Sequence, residues 1–332
     1  MNIAEVIGIH KNYRSRTNGI FIKEIIKEMK NVLLVIKAEI YIEDKDINQD
    51  IRIINSYEEY MEKNYPDELL EQYHTNEEEI KQCQIEINGT KIPFSYFYKF
   101  MNKGKHTIKY TFSKNLVKAN YMFSECSNLT YIDLSKFGTK EINNMSCMFA
   151  NCCSLEKINL SNVNTEKVID MGCMFYECNS LKEINLSSFN TKNVINMGCM
   201  FKGCNSLEKI DLSNFNTEKV IDMGCMFKEC NSLKEINLSN FNTKNVINMA
   251  GIFQDCNLLT DINLSKFNTE NTKNMNSIFK KCRSLTKINL SNFDTKKVTD
   301  MDCIFYECNS LKKENIRTQD TRIIHEFEVY IN

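Results

Sequence analysis

From about Leu116 onward the apolar residues return in one fixed order. With Leu181 as origin, a unit reads Leu181-x-x-Ile184-x-Leu186-Ser187-x-Phe189-Asn190-Thr191-x-x-Val194-x-x-Met197-x-x-Met200-Phe201-x-x-Cys204, and the next begins 26 residues later. Phe123 to Phe305, Leu129 to Leu311, and Cys126, Cys152, Cys178, Cys204, Cys230, Cys256, Cys282 and Cys308 all keep this eightfold register. A single globular core has no need of such a register; a stack of equal units, each burying its apolar edge on the next, requires it. Leu181-x-x-Ile184-x-Leu186 predicts a strand whose intervening residues point outward. Val194-x-x-Met197-x-x-Met200-Phe201 advances by three and four, which predicts a second short extended segment leading into one helical or 3-10 turn. At a strand spacing of about 4.8 Å the array is roughly 40 Å long.

Residues 1–115 lack the repeat and read as a small α+β or mostly β domain. A helix is predicted over 21–29, where Ile22, Ile25, Ile26 and Met29 share a face. Strands are predicted over 32–42, 51–54 and 107–112, and a hairpin from Ile85 to Ile92 turning at Asn88-Gly89. The charged stretch 56–81 has helical character, punctuated by Pro66. This domain covers the open end of the stack. The repeats occupy 116–316, and 317–332 form a degenerate C-terminal cap in which Phe327, Val329 and Ile331 alternate as a strand, with a short helix as the other reading.

Stacking turns each repeat position into a column. Lys140, Glu166, Lys192, Glu218, Lys244, Glu270 and Lys296 alternate in sign, as do Lys157, Glu183, Lys209, Glu235, Asp261 and Lys287, which predicts self-complementary charge ladders on a solvated face. A second cysteine column comprises Cys147, Cys173, Cys199, Cys225 and Cys303, interrupted by Gly251 and Ser277. Both cysteine columns are read as buried thiols acting as small hydrophobes, in preference to disulfides or soft-metal ligands, since no histidine joins them. The Asn-Thr pair at 190–191 and its equivalents predict turns closed by short polar side chains, a simpler account than an ice-binding surface. Asp170, Asp222 and Asp300, alternating with Asn144, Asn196, Asn248 and Asn274, suggest a solvated polar edge in place of a calcium site, because glycine-rich turns are missing.

Net charge is −1, with lysine and glutamate interspersed, so electrostatics imply neither nucleic acid nor an anionic membrane as partner. The longest apolar run, 31–42, carries Lys37 and Glu39 and falls short of the ~20 residues of a membrane span, so no membrane insertion is expected. The first residues lack the layout of a secretory signal, which places the chain as it stands in the cytosol; an upstream signal would place it at the cell surface. His10, His74, His106 and His325 are scattered, and no phosphate loop, zinc-protease helix or nucleophile elbow is present. We therefore expect no enzyme, no cofactor and no metal; any activity would reside in residues 1–115.

The combination Met-Phe-x-x-Cys-x-Ser-Leu-x-x-Ile-x-Leu-Ser-x-Phe-Asn-Thr, at 174–191 and 226–243, closely resembles BspA-like leucine-rich repeats, over about 119–316. That family occurs in bacterial surface proteins and is multiplied in protists, whose composition the richness in Ile, Lys and Asn fits. The resemblance implies a right-handed solenoid and an adhesive or protein-binding role. The expected class is thus α/β, a leucine-rich-repeat-type solenoid with a stacked parallel sheet behind the N-terminal domain. Its expected function is non-catalytic binding of a protein partner through outward strand positions: Lys157, Asn159, Glu183, Asn185, Lys209 and Asp211. Tyr131, Asp133, Asp261, Lys281 and Arg283 break the near-identity of the repeats and are candidates for selectivity. The competing expectation is a passive structural or surface-coat protein.

Overall fold

The computed structural model describes residues 34–68, 71 and 74–331. The helix predicted over 21–29 lies outside these residues. The described chain is mostly β with little helix, built from several small sheets and from repeated units. Strand β1 (Leu34–Ile42) alternates buried and exposed side chains and pairs antiparallel with β6 (Gly104–Phe112). On its other edge β1 pairs antiparallel with β7 (Leu129–Lys136), the strand of the first repeat. Between these lie β2 (Asp50–Arg52), helices α1 (Tyr57–Asn64) and α2 (Glu77–Ile80), the hairpin β3 (Gln84–Ile87) and β4 (Thr90–Ile92), and β5 (Phe97–Lys99). Asn88 and Gly89 both take positive φ, 50° and 83°, as a two-residue hairpin turn of this twist demands. Ser56 caps α1 by accepting the Glu59 N–H.

The repeats contribute β8 (Lys157–Asn159), β9 (Lys209–Asp211), β10 (Glu235–Asn237), β11 (Asp261–Asn263) and β12 (Lys287–Asn289), followed by β13 (Ile316–Arg317) and helix α3 (Thr321–Ile331). Strands pair in parallel where they adjoin: β7 with β8, β9 with β10, β11 with β12 and β12 with β13. The first sheet runs β4-β3-β6-β1-β7-β8, so one hydrogen-bonded sheet crosses from the N-terminal unit into the repeats. The second flank of each repeat pairs as well, through parallel bridges from Lys118 to Asn144 and onward every 26 residues to Asp300.

No helical turn follows that flank. In the repeat at 145–152, N–H groups of Met145, Cys147, Phe149 and Asn151 donate to carbonyls of Asp170, Gly172, Met174 and Tyr176 in the next repeat, at 3.0, 2.9, 2.9 and 2.7 Å. The intervening Met148, Ala150 and Cys152 close tight turns within their own repeat, onto Met145, Cys147 and Phe149. Cys147 and Asn151 hold left-handed φ of 54° and 61°, which a helix excludes. The α/β class is therefore corrected to mostly β: the three-and-four spacing reports which side chains turn inward along a chain of turns. Left-handed φ costs a side chain with a Cβ about 1–2 kcal/mol; inter-repeat hydrogen bonds at every second residue hold it there.

Apolar columns form the core. Phe123, Phe149, Phe175, Phe201, Phe227, Phe253, Phe279 and Phe305 stack face to face with centroids 5.6–5.9 Å apart and planes within 14°. Both ends of the column are closed by an edge-on ring, Tyr110 at 5.3 Å and Phe327 at 5.6 Å. Phe327 stands on α3 with Ile323 buried beside it, so the strand reading of 327–331 is overturned in favour of the helix. Ile323 and Phe327 are four residues apart, the spacing of one helical face, and a strand would have turned only alternate residues inward. The cap also ends the hydrogen bonding, since Arg322 Nη1 donates to the Thr295 carbonyl at 2.7 Å and Asp320 accepts from Thr295 Oγ1 at 2.7 Å.

Candidate functional site

On the strand flank, outward residues of five successive repeats line an open groove of about 1110 Å³. Its walls carry Tyr131, Lys157, Asn159, Glu183, Asn185, Lys209 and Asp211, with Glu235 and Asn237 at the far end. Ile158, Ile184, Ile210 and Ile236 form an apolar floor between the two polar rows. Ile158, Ile184 and Ile236 remain partly exposed. The groove crosses an interruption in the sheet, for Glu183–Asn185 forms no ladder with β8 before it or β9 after it. The identical Glu-Ile-Asn segment at Glu235–Asn237 does pair.

Lys157, Glu183, Lys209 and Glu235 present alternating charge into the groove, and among the described residues no ion pair joins them. The predicted ladder in this column closes only beyond the groove, between Lys287 and Asp261 at 3.8 Å. The other ladder is likewise broken into separate pairs, Lys192 with Glu166 at 2.6 Å and Lys244 with Glu270 at 3.8 Å, while Glu218 has no ion-pair partner among the described residues. These pairs are about half exposed, so solvent screening leaves each little weight in stability. Asn159, Asn185 and Asp211 each accept the backbone N–H of a serine two residues on, at 3.1, 3.0 and 2.9 Å, which fixes their carbonyl or carboxylate oxygens in a turn. The Ser213 N–H on Asp211 holds that carboxyl below its ordinary range. Burial, then the nearby charges of Asp133 and Glu39, push the Tyr131 phenol up.

The remaining candidates lie elsewhere. Asp133 lines a smaller neighbouring cavity of about 260 Å³ with Lys37, Glu86 and Lys109, sharing Tyr131 with the groove. Asp261 stands past the groove's end on β11. Lys281 and Arg283 belong to the turn flank: Lys281 has φ of 61° and Arg283 binds Glu307 at 2.6 Å. Selectivity at these two is therefore not selectivity at the groove.

A sequence profile of the family described as Mycoplasma protein of unknown function, DUF285, matches the chain four times, over 95–186, 117–237, 155–258 and 233–331. The chain belongs to that family. No curated protein matches the chain. The DUF285 matches overlap one another across the groove and run from β5 to α3, each spanning several of the 26-residue repeats. Among the described residues, no helix is long and apolar enough to cross a membrane, and no group of three or more His, Cys, Asp and Glu is placed to hold a metal ion.

Three columns of this DUF285 array differ from expectation. The threonines are buried and join repeats: Thr165 Oγ1 donates to the Asn190 carbonyl at 2.9 Å and accepts the Asn190 N–H at 2.8 Å, and the pattern continues along the stack. Buried threonines offer no ice-binding surface. The Asn/Asp column at 144–300 is no solvated edge; it carries the parallel bridges, and Asp170 caps Gly172 N–H at 2.8 Å. Burial raises the Asp170 carboxyl above its ordinary range. The cysteines divide. Cys152, Cys178 and their successors are buried and donate to the phenylalanine carbonyl of the preceding repeat at 3.0–3.2 Å, whereas Cys147, Cys173, Cys199 and Cys225 are only half-buried. Sequence reasoning also missed Ile169, Ile195, Ile221 and Ile247, an exposed apolar stripe that the period alone would have revealed as a column outside the core spacing.

Proposed function

We propose that this chain is a right-handed BspA-like leucine-rich-repeat solenoid that binds an extended segment of a protein partner in its strand-face groove, without catalysis. The observation that carries the reading is the groove: the six outward positions named from sequence line it together with Tyr131, around an apolar floor. Parallel pairing of successive units on both flanks, always at the 26-residue period, supports the solenoid. Five repeats at about 4.8 Å give a groove roughly 19 Å long, which seats about six residues of extended chain. Alternating Lys157, Glu183, Lys209 and Glu235 favour a ligand whose own charges alternate, and Tyr131 supplies the aromatic anchor at one end. Such a module serves as a cytosolic scaffold or, in a surface protein, as an adhesin.

Capture from a native extract tests this, comparing the wild-type chain with Tyr131→Ala and Lys209→Glu, and with Glu218→Ala outside the groove as control. A partner retained by the control and lost by both groove variants is the expected result. Retention by all four proteins would place the binding surface elsewhere.

A further inference from the structure

Packing does not account for the second cysteine column. Its members are Tyr121, Cys147, Cys173, Cys199, Cys225, Gly251, Ser277 and Cys303, all left-handed with φ between 54° and 59°. Glycine and serine occupy the slot in two repeats without disturbing the register: the N–H groups of Cys225, Gly251 and Ser277 all reach the next repeat, at 2.7, 2.7 and 2.8 Å. The fold thus needs no sulfur here, and a left-handed backbone disfavours any residue with a Cβ. Four successive repeats nevertheless place a half-buried thiol at this slot, and the four side chains interact thiol to thiol in series.

The spacing suits bond formation. Adjacent strands about 4.8 Å apart bring the Cα atoms within the range that a disulfide spans. A Cβ placed on Gly251 would lie 3.3 Å from Cys225 Sγ, so that sulfur leans onto the Cβ position of the next repeat. In a disulfide that distance is about 3 Å, and a small side-chain rotation closes the gap. The run holds four thiols, bounded by the Tyr121 ring and by Gly251, so two bonds leave none over. We propose that Cys147, Cys173, Cys199 and Cys225 form an oxidant-responsive modification site, in which a hydroperoxide closes two inter-repeat disulfides, Cys147–Cys173 and Cys199–Cys225.

Cys147 begins the reaction. Its contact with Cys173, then with the Tyr121 phenol, holds its thiol below the ordinary range, while the same contact pushes Cys173 up to about 12. Of the two, Cys147 is therefore the more readily ionised and the better nucleophile. Its sulfur takes the terminal peroxide oxygen as the O–O bond breaks, giving a sulfenic acid and an alcohol. Cys173 sulfur then attacks Cys147 Sγ, loses its proton and expels water. Two thiols and one hydroperoxide become one disulfide, one alcohol and one water; a second hydroperoxide oxidises Cys199 and Cys225 with the same balance but more slowly, because contact with Cys173 and burial push the Cys199 thiol up to about 11.

Cys303 is an internal control, with φ of 58° and Ser277 in place of a thiol neighbour. The test exposes the folded full chain to two equivalents of hydrogen peroxide, then alkylates under denaturing conditions and maps peptides by tandem mass spectrometry. The chain has fifteen thiols, all free, so alkylation should fall from fifteen to eleven and return to fifteen after dithiothreitol, with 147–173 and 199–225 linked. Fifteen alkylated thiols, sulfinic acids at these positions, or oxidation no faster than at Cys303 would overturn the proposal. Cys173→Ser, a residue that Ser277 shows the slot accepts, should keep the 199–225 bond and leave Cys147 as a dimedone-reactive sulfenic acid. Loss of both bonds in that variant would refute the pairing.

Discussion

Thr217→Val removes one oxygen and leaves the side-chain shape nearly unchanged, so it isolates what the threonine column contributes. Thr217 is fully buried, and its Oγ1 donates to the Asn242 carbonyl at 2.9 Å while accepting the Asn242 N–H at 2.8 Å. A single hydroxyl therefore satisfies both backbone groups of a residue in the next repeat. Each bond is worth about 0.5–1.5 kcal/mol net, which gives about 1–3 kcal/mol for the pair. The replacing methyl cannot approach Asn242 so closely, so a loss in the upper half of that range, about 2–3 kcal/mol, is expected. Thr217→Ser keeps both bonds and sheds one methyl, a cost of about 0.8 kcal/mol. Urea unfolding followed by far-UV circular dichroism measures both, and hydrogen exchange at the Asn242 amide should accelerate in the valine protein alone. If Val and Ser destabilise equally, or Val by less than about 0.5 kcal/mol, the threonine does not join the repeats in the way its geometry indicates.

Phe227→Ala removes a fully buried ring stacked 5.7 Å from both Phe201 and Phe253, and should cost about 3–5 kcal/mol in the same unfolding assay. An unchanged midpoint would deny the phenylalanine column its place in the core. For Asp170, burial raises the folded-state pKa above the unfolded value. Its favourable contribution is present only below the ordinary aspartate range near ~4 and is lost as pH rises through the raised value. Asp170→Asn, a residue found at the equivalent positions 144, 196 and 248, should be the more stable protein at pH 7, with the gap closing as pH falls. A gap independent of pH would assign its cause to packing.

Much of the architecture was legible because stacking repeats a physical requirement at a fixed interval. Phe123 to Phe305 had to share a column if the units stack at all, and Asn88-Gly89 had to turn, since both left-handed positions of a tight hairpin favour those residues. Six of the groove's residues could be named for the same reason: strand alternation turns Lys157 and Asn159 outward whatever lies above them. The groove itself could not be named. Glu183–Asn185 and Glu235–Asn237 read identically, yet only the second pairs with its neighbour.

Period alone determined which residues are neighbours along the stack, since 26-residue spacing leaves no other register that buries Leu181, Val194 and Phe201 together. Tertiary structure decided what those neighbours do. Lys192 chooses Glu166 over Glu218 through side-chain reach, which a column of letters does not contain. Cys147 and Cys152 stand in one repeat with the same chemistry, but the first lies half-buried on a left-handed turn and the second donates its thiol to the Phe123 carbonyl inside. Backbone handedness and lateral position separate them, and both are set by hydrogen bonds to the adjoining repeats.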